Sequence, residues 1–545
     1  MNHRALVAAL AGVCLAAATR AQLPATAERS GPAAPERAAL NVWLDDGGLG
    51  GRTRVALTAA VPAGATMADV EVAKNRVTAA HAAALSAEVV GPFAEAALAA
   101  GFEIRALGAL APWVALEGPE NPLRTWLAGR REVLVVEAEQ FEGGPELDDS
   151  VPTVKADWVR THPTLPMNGA GVKVGVLDSG GVLQANPYLP AGILFNGSPG
   201  AQAHSTACAG MVASNHATHT GVAPGVTLLS TGTSSGNSAY LTNGEWCYLN
   251  GADLVTCSLF VGSTTTNGLN LSDRGFDYLV RNLGRTFVKS CGNQGNGGYV
   301  TSPGRGFNSV AVGNVNDGGT PDWADDVMAS SSSGLDPSTG APKPEVSAPG
   351  TSITSTTLSS PWTANVGSGT SYAAPHVAGA AALLMEQAAV LKTRPEAIKA
   401  LLIATAWHNI EGDRLLSELD GAGAIDCAAA YRTVEAGRFA HGLLTASDFV
   451  GGVKDFTFTL KAGNLTRVAL SWCSDPADAT ASYTPDALDA TFDVTVHATA
   501  GGPALALATH PSASWRILQF TPATSGPYLV RVHQTQWLGT SEPFG

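Results

Sequence analysis

Three regimes of hydrophobic patterning divide the 545-residue chain. Between about residues 52 and 142 the apolar runs are short and mixed. Residues 55–61 predict a strand, and residues 77–100 predict a helix interrupted at Gly91-Pro92. Residues 102–116 hold two apolar runs. Leu123, Trp126 and Leu127 fall at i, i+3, i+4 and predict a short helix, and the run Val133-Leu-Val-Val136 predicts a closing strand. Strand, helix, strands, helix, strand is the order of a small split βαβ unit, an α+β domain.

From about 152 to 432 buried-strand runs alternate with helical stretches. Residues 172–177, 226–229, 254–259, 286–289 and 309–312 read as strands. Helices are predicted near 207–215, 241–250, 274–283, 372–391 and 395–405. This alternation predicts an α/β domain, a parallel sheet flanked by helices. From about 440 to 545 the period changes to two: Phe456, Phe458, Leu460; Val468, Leu470, Trp472; Phe492, Val494, Val496; Tyr528, Val530, Val532. That pattern predicts an antiparallel β-sandwich, with Trp515 and Trp537 as core fillers.

Composition narrows the reading. Hydrophobic residues make up 45% and charged residues 14%, which describes globular domains and not a disordered chain. A formal net charge of -14 argues against nucleic acid or an anionic membrane as the main partner. Arg4, the apolar run 5–18 and the small-x-small site Thr19-Arg-Ala21 predict a signal peptide over 1–21, and hence export. Residues 22–51, rich in Ala, Pro and Gly, read as a linker. No later run of about 20 uninterrupted apolar residues occurs, so no membrane span is expected. Six cysteines follow the leader: Cys208, Cys247, Cys257, Cys291, Cys427 and Cys473. Disulfides and buried thiols are both open readings.

Four segments in the central region carry chemistry. A buried strand ends in Asp178 within Val-Leu-Asp178-Ser-Gly180. His204 opens a helix of small residues. Asn293 follows another strand in Cys-Gly292-Asn293. Ser371 sits in Gly367-Ser-Gly-Thr-Ser371-Tyr-Ala-Ala-Pro-His-Val-Ala-Gly379, at a helix start where backbone N–H groups face an incoming anion. Serine as nucleophile, histidine as base, aspartate as orienter and an amide donor for the oxyanion form a complete set for acyl transfer. A helix N-terminus opposes protonation of His204.

The order and flanks of these segments resemble the subtilisin-like serine proteases, the subtilases. Gly221-Val-Ala-Pro224 and Ser347-Ala-Pro-Gly350 are similar to two supporting family segments. The resemblance spans about 152–432. It implies a subtilisin-like fold and a secreted serine endopeptidase acting on proteins or peptides through an acyl-enzyme on Ser371. Asp178, His204 and Ser371 would be the triad, with Asn293 as oxyanion donor. No cofactor is implied for the chemistry; structural calcium occurs in the family, but no ligand set here matches it.

The unit at 52–142 resembles the family's inhibitory propeptides, removed by self-cleavage between about 140 and 150. The sandwich at 440–545 resembles appended accessory domains. Ser258, Leu259, Phe260 and Gly292 correspond to substrate-lining positions. Where the family has Ser-Leu-Gly-Gly, this chain has Ser258-Leu-Phe260-Val261, which implies a narrowed or redirected cleft. Ser205 replaces the usual glycine after the histidine. Cys208 resembles the buried cysteine beneath the histidine in proteinase K-like members. These departures leave two alternatives, a narrow-specificity processing protease or a binding or adhesion protein on an inactive scaffold. His216 and His219 read as solvated loop residues and not as metal ligands.

Overall fold

The computed structural model describes residues 37–62, 64–138, 151–233, 236–262, 264–411, 415–476, 486–499 and 501–545. The predicted leader, part of the predicted linker and the acidic connection at 141–150 lie outside the described residues.

The N-terminal unit begins earlier than the sequence pattern indicates. Strand β1 (Arg37–Leu44) and the start of helix α1 (Leu49–Ala60) occupy the predicted linker. β1 pairs on both sides and buries Leu40, Val42, Trp43 and Leu44, so it lacks the alternation that marks a half-exposed strand. The predicted strand at 55–61 is instead the end of α1. Leu49, Thr53 and Leu57 fall on one buried helical stripe, while Val55 is exposed. Helix α2 (Met67–Leu85), capped by the reciprocal Thr66–Asp69 box, runs through a π turn at Ser86–Val90 into α3 (Gly91–Ala99). Gly91-Pro92 therefore starts a new helical segment, where proline needs no N–H partner, and the helical run continues without stopping. Strands β2 (Glu103–Leu107) and β3 (Trp113–Pro119), helix α4 (Glu120–Ala128) and strand β4 (Val133–Ala138) complete the unit. The antiparallel order β2-β3-β1-β4 is that of a split βαβ sandwich, as predicted. The stretch Met67–Ala99 is long and apolar enough to cross a bilayer. Here it folds onto the protein, with Lys74 fully buried.

The central domain is built on an eight-stranded sheet. Its strands are β5 (Lys173–Asp178), β6 (Leu194–Phe195), β7 (Thr227–Gly232), β8 (Leu254–Cys257), β9 (Thr286–Ser290), β10 (Val310–Asn316), β11 (Val327–Met328) and β12 (Val346–Pro349). The order is β11-β10-β9-β8-β5-β7-β6, with β12 also on β10, and every pairing except β10–β11 is parallel. Helices α5 (Ala203–Ala213), α6 (Asn237–Leu249), α7 (Leu271–Leu283), α8 (Thr370–Gln387) and α9 (Pro395–Thr405) cover it. Val- and Leu-rich strands with few exposed positions reflect burial on both faces.

Beyond residue 440 two antiparallel layers form, β13 (Val453–Leu460), β18 (Gly526–Trp537), β15 (Ala490–His497) and β16 (Ala504–Ala508) in one, and β14 (Thr466–Ser471) with β17 (Trp515–Phe520) in the other. Trp472, Phe492, Val494, Val496 and Tyr528 fill the space between. Trp515 is buried in the central domain's core cluster, and Trp537 packs on the sandwich core. Arg281 of α7 fastens the sandwich to the central domain. Its guanidinium lies 2.9 Å from Glu542 Oε2, 3.4 Å from Asp489 Oδ2 and 3.3 Å from Asp475 Oδ2. Burial holds the Glu542 and Asp489 carboxyls above their ordinary range even beside Arg281.

Replacing Arg281 with Met should strand these acids in a dry interface. The expected loss is about 3 kcal/mol of stability, measured by urea unfolding, with Asp455→Asn on the exposed sheet face as a near-neutral control.

Candidate active site

Three adjacent parallel strands end side by side. β5 is flanked by β7 and β8, so the chain leaves it first to one side and then to the other. In open α/β sheets such a switch point opens a crevice beyond the carboxyl ends. Asp178 closes β5, Ser258 follows β8, and Gly292-Asn293 follows β9. Parallel pairing thus brings together residues far apart in sequence.

Asp178 is completely buried. His204, the second residue of α5, presents Nδ1 at 2.8 Å from Asp178 Oδ1 and 2.9 Å from Oδ2. The Ser179 backbone N–H also donates to Oδ1 at 2.6 Å. Burial would raise the Asp178 carboxyl and depress the imidazole. The opposite charges win: Asp178 is held below its ordinary range, and His204 is raised well above 6.5 by the Asp178 carboxylate. The expectation that the helix N-terminus keeps the imidazole unprotonated is therefore reversed in sign. A full charge at hydrogen-bond distance outweighs the partial charge of a helix end.

Ser371 is the second residue of α8, and Pro375 lies four residues on. Proline has no N–H, so the helical bond to the Ser371 carbonyl is missing. Two side chains from other elements take that acceptor: Ser258 Oγ donates to Ser371 O at 2.6 Å, and Cys208 Sγ at 3.6 Å. The Ser371 hydroxyl donates in turn to Ser258 O at 2.9 Å. Cys208 Sγ also lies 4.0 Å from His204 Nδ1, one turn along α5, and the His204 ring packs on Tyr372 at a centroid distance of 5.4 Å.

Asn293 is pinned at its oxygen end. Oδ1 accepts from Thr370 N at 2.9 Å and from Thr370 Oγ1 at 3.0 Å. In a planar carboxamide this turns the NH₂ group to the opposite side. Thr370 Oγ1 also accepts from Gly292 N at 3.1 Å, so one threonine ties the β9 loop to the start of α8. Sequence reasoning passes over Thr370; its place between Gly369 and Ser371 is the only signal. Gly292 has φ +110, and a Cβ there would stand 2.7 Å from Thr301 Cγ2, so only glycine fits.

The segment after β8 corrects one expectation. Leu259 and Val261 turn into the core cluster with Tyr240 and Tyr248 and narrow nothing. Phe260 stays half-buried and receives the Tyr240 hydroxyl on its carbonyl at 2.9 Å. Ser205 is fully buried, and its hydroxyl has no hydrogen-bond partner among the described residues. All six cysteines are buried free thiols. Among the described residues one group of metal-capable side chains comes together, Asp178, His204 and Cys208. His216 Nδ1 accepts from the Thr218 and His219 backbone N–H groups, which fits the loop reading.

The sequence profile described as "Subtilase family" matches residues 169–423. The chain is similar to subtilisin DY of Bacillus licheniformis, 32% identical over 252 residues, which span 44% of this chain and 84% of that protein. It is similar to the serine protease AprX of Bacillus subtilis (strain 168), 32% identical over 284 residues, spanning 45% of this chain and 62% of that protein. The fold is similar to the crystal structure of fervidolysin from Fervidobacterium pennivorans, titled a keratinolytic enzyme related to subtilisin. That match has a TM-score of 0.51 at 16% identity and covers 92% of this chain and 72% of that one.

The electrostatics give a direct test. The His204 imidazole resonance, followed by NMR across pH, should titrate with a midpoint above 6.5. Asp178→Asn should move the midpoint down, because burial then acts without the opposing carboxylate. An unchanged midpoint would show that Asp178 does not set the charge of the ring.

Proposed function

Because the chain belongs to the subtilase family and is thus a serine endopeptidase, we propose that Ser371, His204, Asp178 and Asn293 carry its chemistry and that it is made as an exported precursor that processes itself. The observation that supports this best is the buried Asp178–His204 pair at 2.8 Å, reached by an α5 helix that also lies against the Ser371 backbone through Cys208.

With Nδ1 engaged by Asp178, Nε2 is the nitrogen for proton transfer. Ser371 Oγ attacks the substrate carbonyl carbon as its proton passes to Nε2. The carbonyl oxygen takes the negative charge and is held by the Asn293 NH₂ and the Ser371 backbone N–H. Collapse breaks the C–N bond, and the leaving amine takes the proton from Nε2. Water then repeats the sequence on the ester, returns the proton to Ser371 and releases the acid. No step requires a metal or cofactor. Asp178 keeps the ring in one tautomer and stabilises the imidazolium.

The N-terminal unit acts as an intramolecular inhibitor, and self-cleavage falls between about residues 140 and 150, outside the described residues. The leader-like start at 1–21 supports export. The half-buried Phe260, where the family carries glycine, favours a restricted substrate range over bulk proteolysis. The sandwich serves as an accessory domain.

Two variants test the assignment. Ser371→Ala should abolish labelling by a fluorophosphonate probe and leave the precursor uncut on a denaturing gel. Asn293→Ala should keep probe binding measurable but lower kcat by about 100- to 1000-fold on a peptide substrate. A protein that labels slowly and cuts nothing would favour the binding-protein alternative.

A further inference from the structure

We propose that the cleft between the central domain and the sandwich binds one free fatty-acid anion, its hydrocarbon tail along the sandwich face and its carboxylate on Arg467. None of the residues lining this cleft belongs to the catalytic site.

The cleft arises from unequal layers. Four strands in the order β13-β18-β15-β16 face only two, β14 and β17, so the smaller layer is too narrow to cover the larger. On the inner strand β15, Phe492, Val494 and Val496 are buried to 1% exposure or less. On the edge strand β13, Phe456, Phe458 and Leu460 alternate with the exposed Asp455, Thr457 and Thr459, yet they are only half-buried. Val468 and Leu470 of β14 line the same gap. The central domain walls its other side with Leu401 and Ala404 of α9, Phe439, and Thr433 of a further helix, α10 (Cys427–Glu435). The cavity so formed has a volume of about 390 Å³, within the range of roughly 300–1,000 Å³ that holds one small ligand.

Its polar groups select the charge of that ligand. Arg432, Arg438, Lys461 and Arg467 border the cavity, and among the described residues no aspartate or glutamate side chain does. The chain as a whole has 46 acidic and 32 basic side chains, so this lining runs against its composition. None of the four cations forms an ion pair among the described residues. The main-chain oxygen of Gly545, which also borders the cavity, already accepts from Ser471 N at 2.8 Å.

Arg467 is set in place before any ligand arrives. Its guanidinium stacks over Trp407 at 4.7 Å. Nε donates to Gln519 Oε1 at 2.9 Å, and Nη1 donates to the Ala406 carbonyl and to Ala422 O at 3.1 Å. Nη2 makes no hydrogen bond to the described residues and is left for a carboxylate oxygen. Asp420, whose charge also reaches Arg467, is occupied by Ile410 N at 2.9 Å and by the Ser417 hydroxyl. Burial pulls the Arg467 guanidinium below its ordinary value, as befits a cation taken from water with no carboxylate beside it. A fixed guanidinium next to half-exposed apolar walls suits a ligand with an anionic head and an apolar tail. The net charge of -14 works against docking on an anionic bilayer, which favours a single dissolved anion.

The test uses the Ser371→Ala precursor, so that neither processing nor activity enters. Isothermal titration calorimetry with dodecanoate, kept below micelle formation, should show one site per chain. Dodecyltrimethylammonium, the same tail with the opposite charge, should bind about tenfold more weakly or less. Arg467→Met should weaken dodecanoate by about tenfold and leave the cationic amphiphile unchanged. Ala404→Trp, which fills the cavity from α9, should abolish binding of both. The melting temperature of each unliganded variant is measured alongside; if either melts early, Lys461→Met on the exposed rim replaces it and should weaken dodecanoate alone. No binding of dodecanoate, equal binding of the two amphiphiles, or full affinity in these variants would overturn the inference. So would tighter binding of acetyl-Leu-Leu-Phe with a free carboxylate, which would assign the cleft to peptide ends.

Discussion

A carboxylate kept from water and held 2.8 Å from an imidazole is the interaction around which this protein is arranged. Burying a charge as completely as Asp178 is costly unless an opposite charge and hydrogen bonds surround it. His204 and the Ser179 N–H supply them. The requirement explains the local architecture: a strand buried on both faces delivers the acid, and a helix of small residues lets the ring approach it. It also explains why the imidazole holds a proton more tightly than a free histidine does, so the neutral form that takes up the serine proton gains as pH rises.

The second constraint is the parallel sheet. Strands that run together finish together, so groups from β5, β8 and β9 meet without any long loop to position them. Thr370 and Ser258 then stitch that edge to α8, one through the Asn293 carboxamide and the other through the Ser371 carbonyl. The backbone of the serine is consequently held from outside its own helix, and the missing helical bond at Pro375 is what makes this possible.

Much of this is legible in the sequence because it is local. Asp178 and Asn293 follow recognisable buried runs, and His204 and Ser371 stand at the heads of helices rich in small residues. The order of the N-terminal elements from residue 102 onward, and the period-two runs after 440, also read directly. What escapes the pattern does so for physical reasons. β1 is covered on both faces and so has no alternation, and its Ala-rich surroundings look like a linker. The run at 55–61 is rich in β-formers, but tertiary contacts at Leu49, Thr53 and Leu57 make it a helix. The orientation of Val261 depends on which residue of the extended segment faces Ser371. Pairs such as Lys74 with Asp253, 179 residues apart, leave no trace in either segment alone.

The unpaired cysteines carry a further meaning. With the six sulfurs of the described residues enclosed and none bonded to another, the described residues have no covalent cross-link to form or lose. Folding then needs no oxidant and no disulfide isomerase, and the redox poise of the surroundings does not enter the equilibrium. Stability must come wholly from packing and charge pairing. The same thiols become a hazard only on unfolding, when heat or denaturant would release six reactive groups at once and let chains couple to one another beyond recovery.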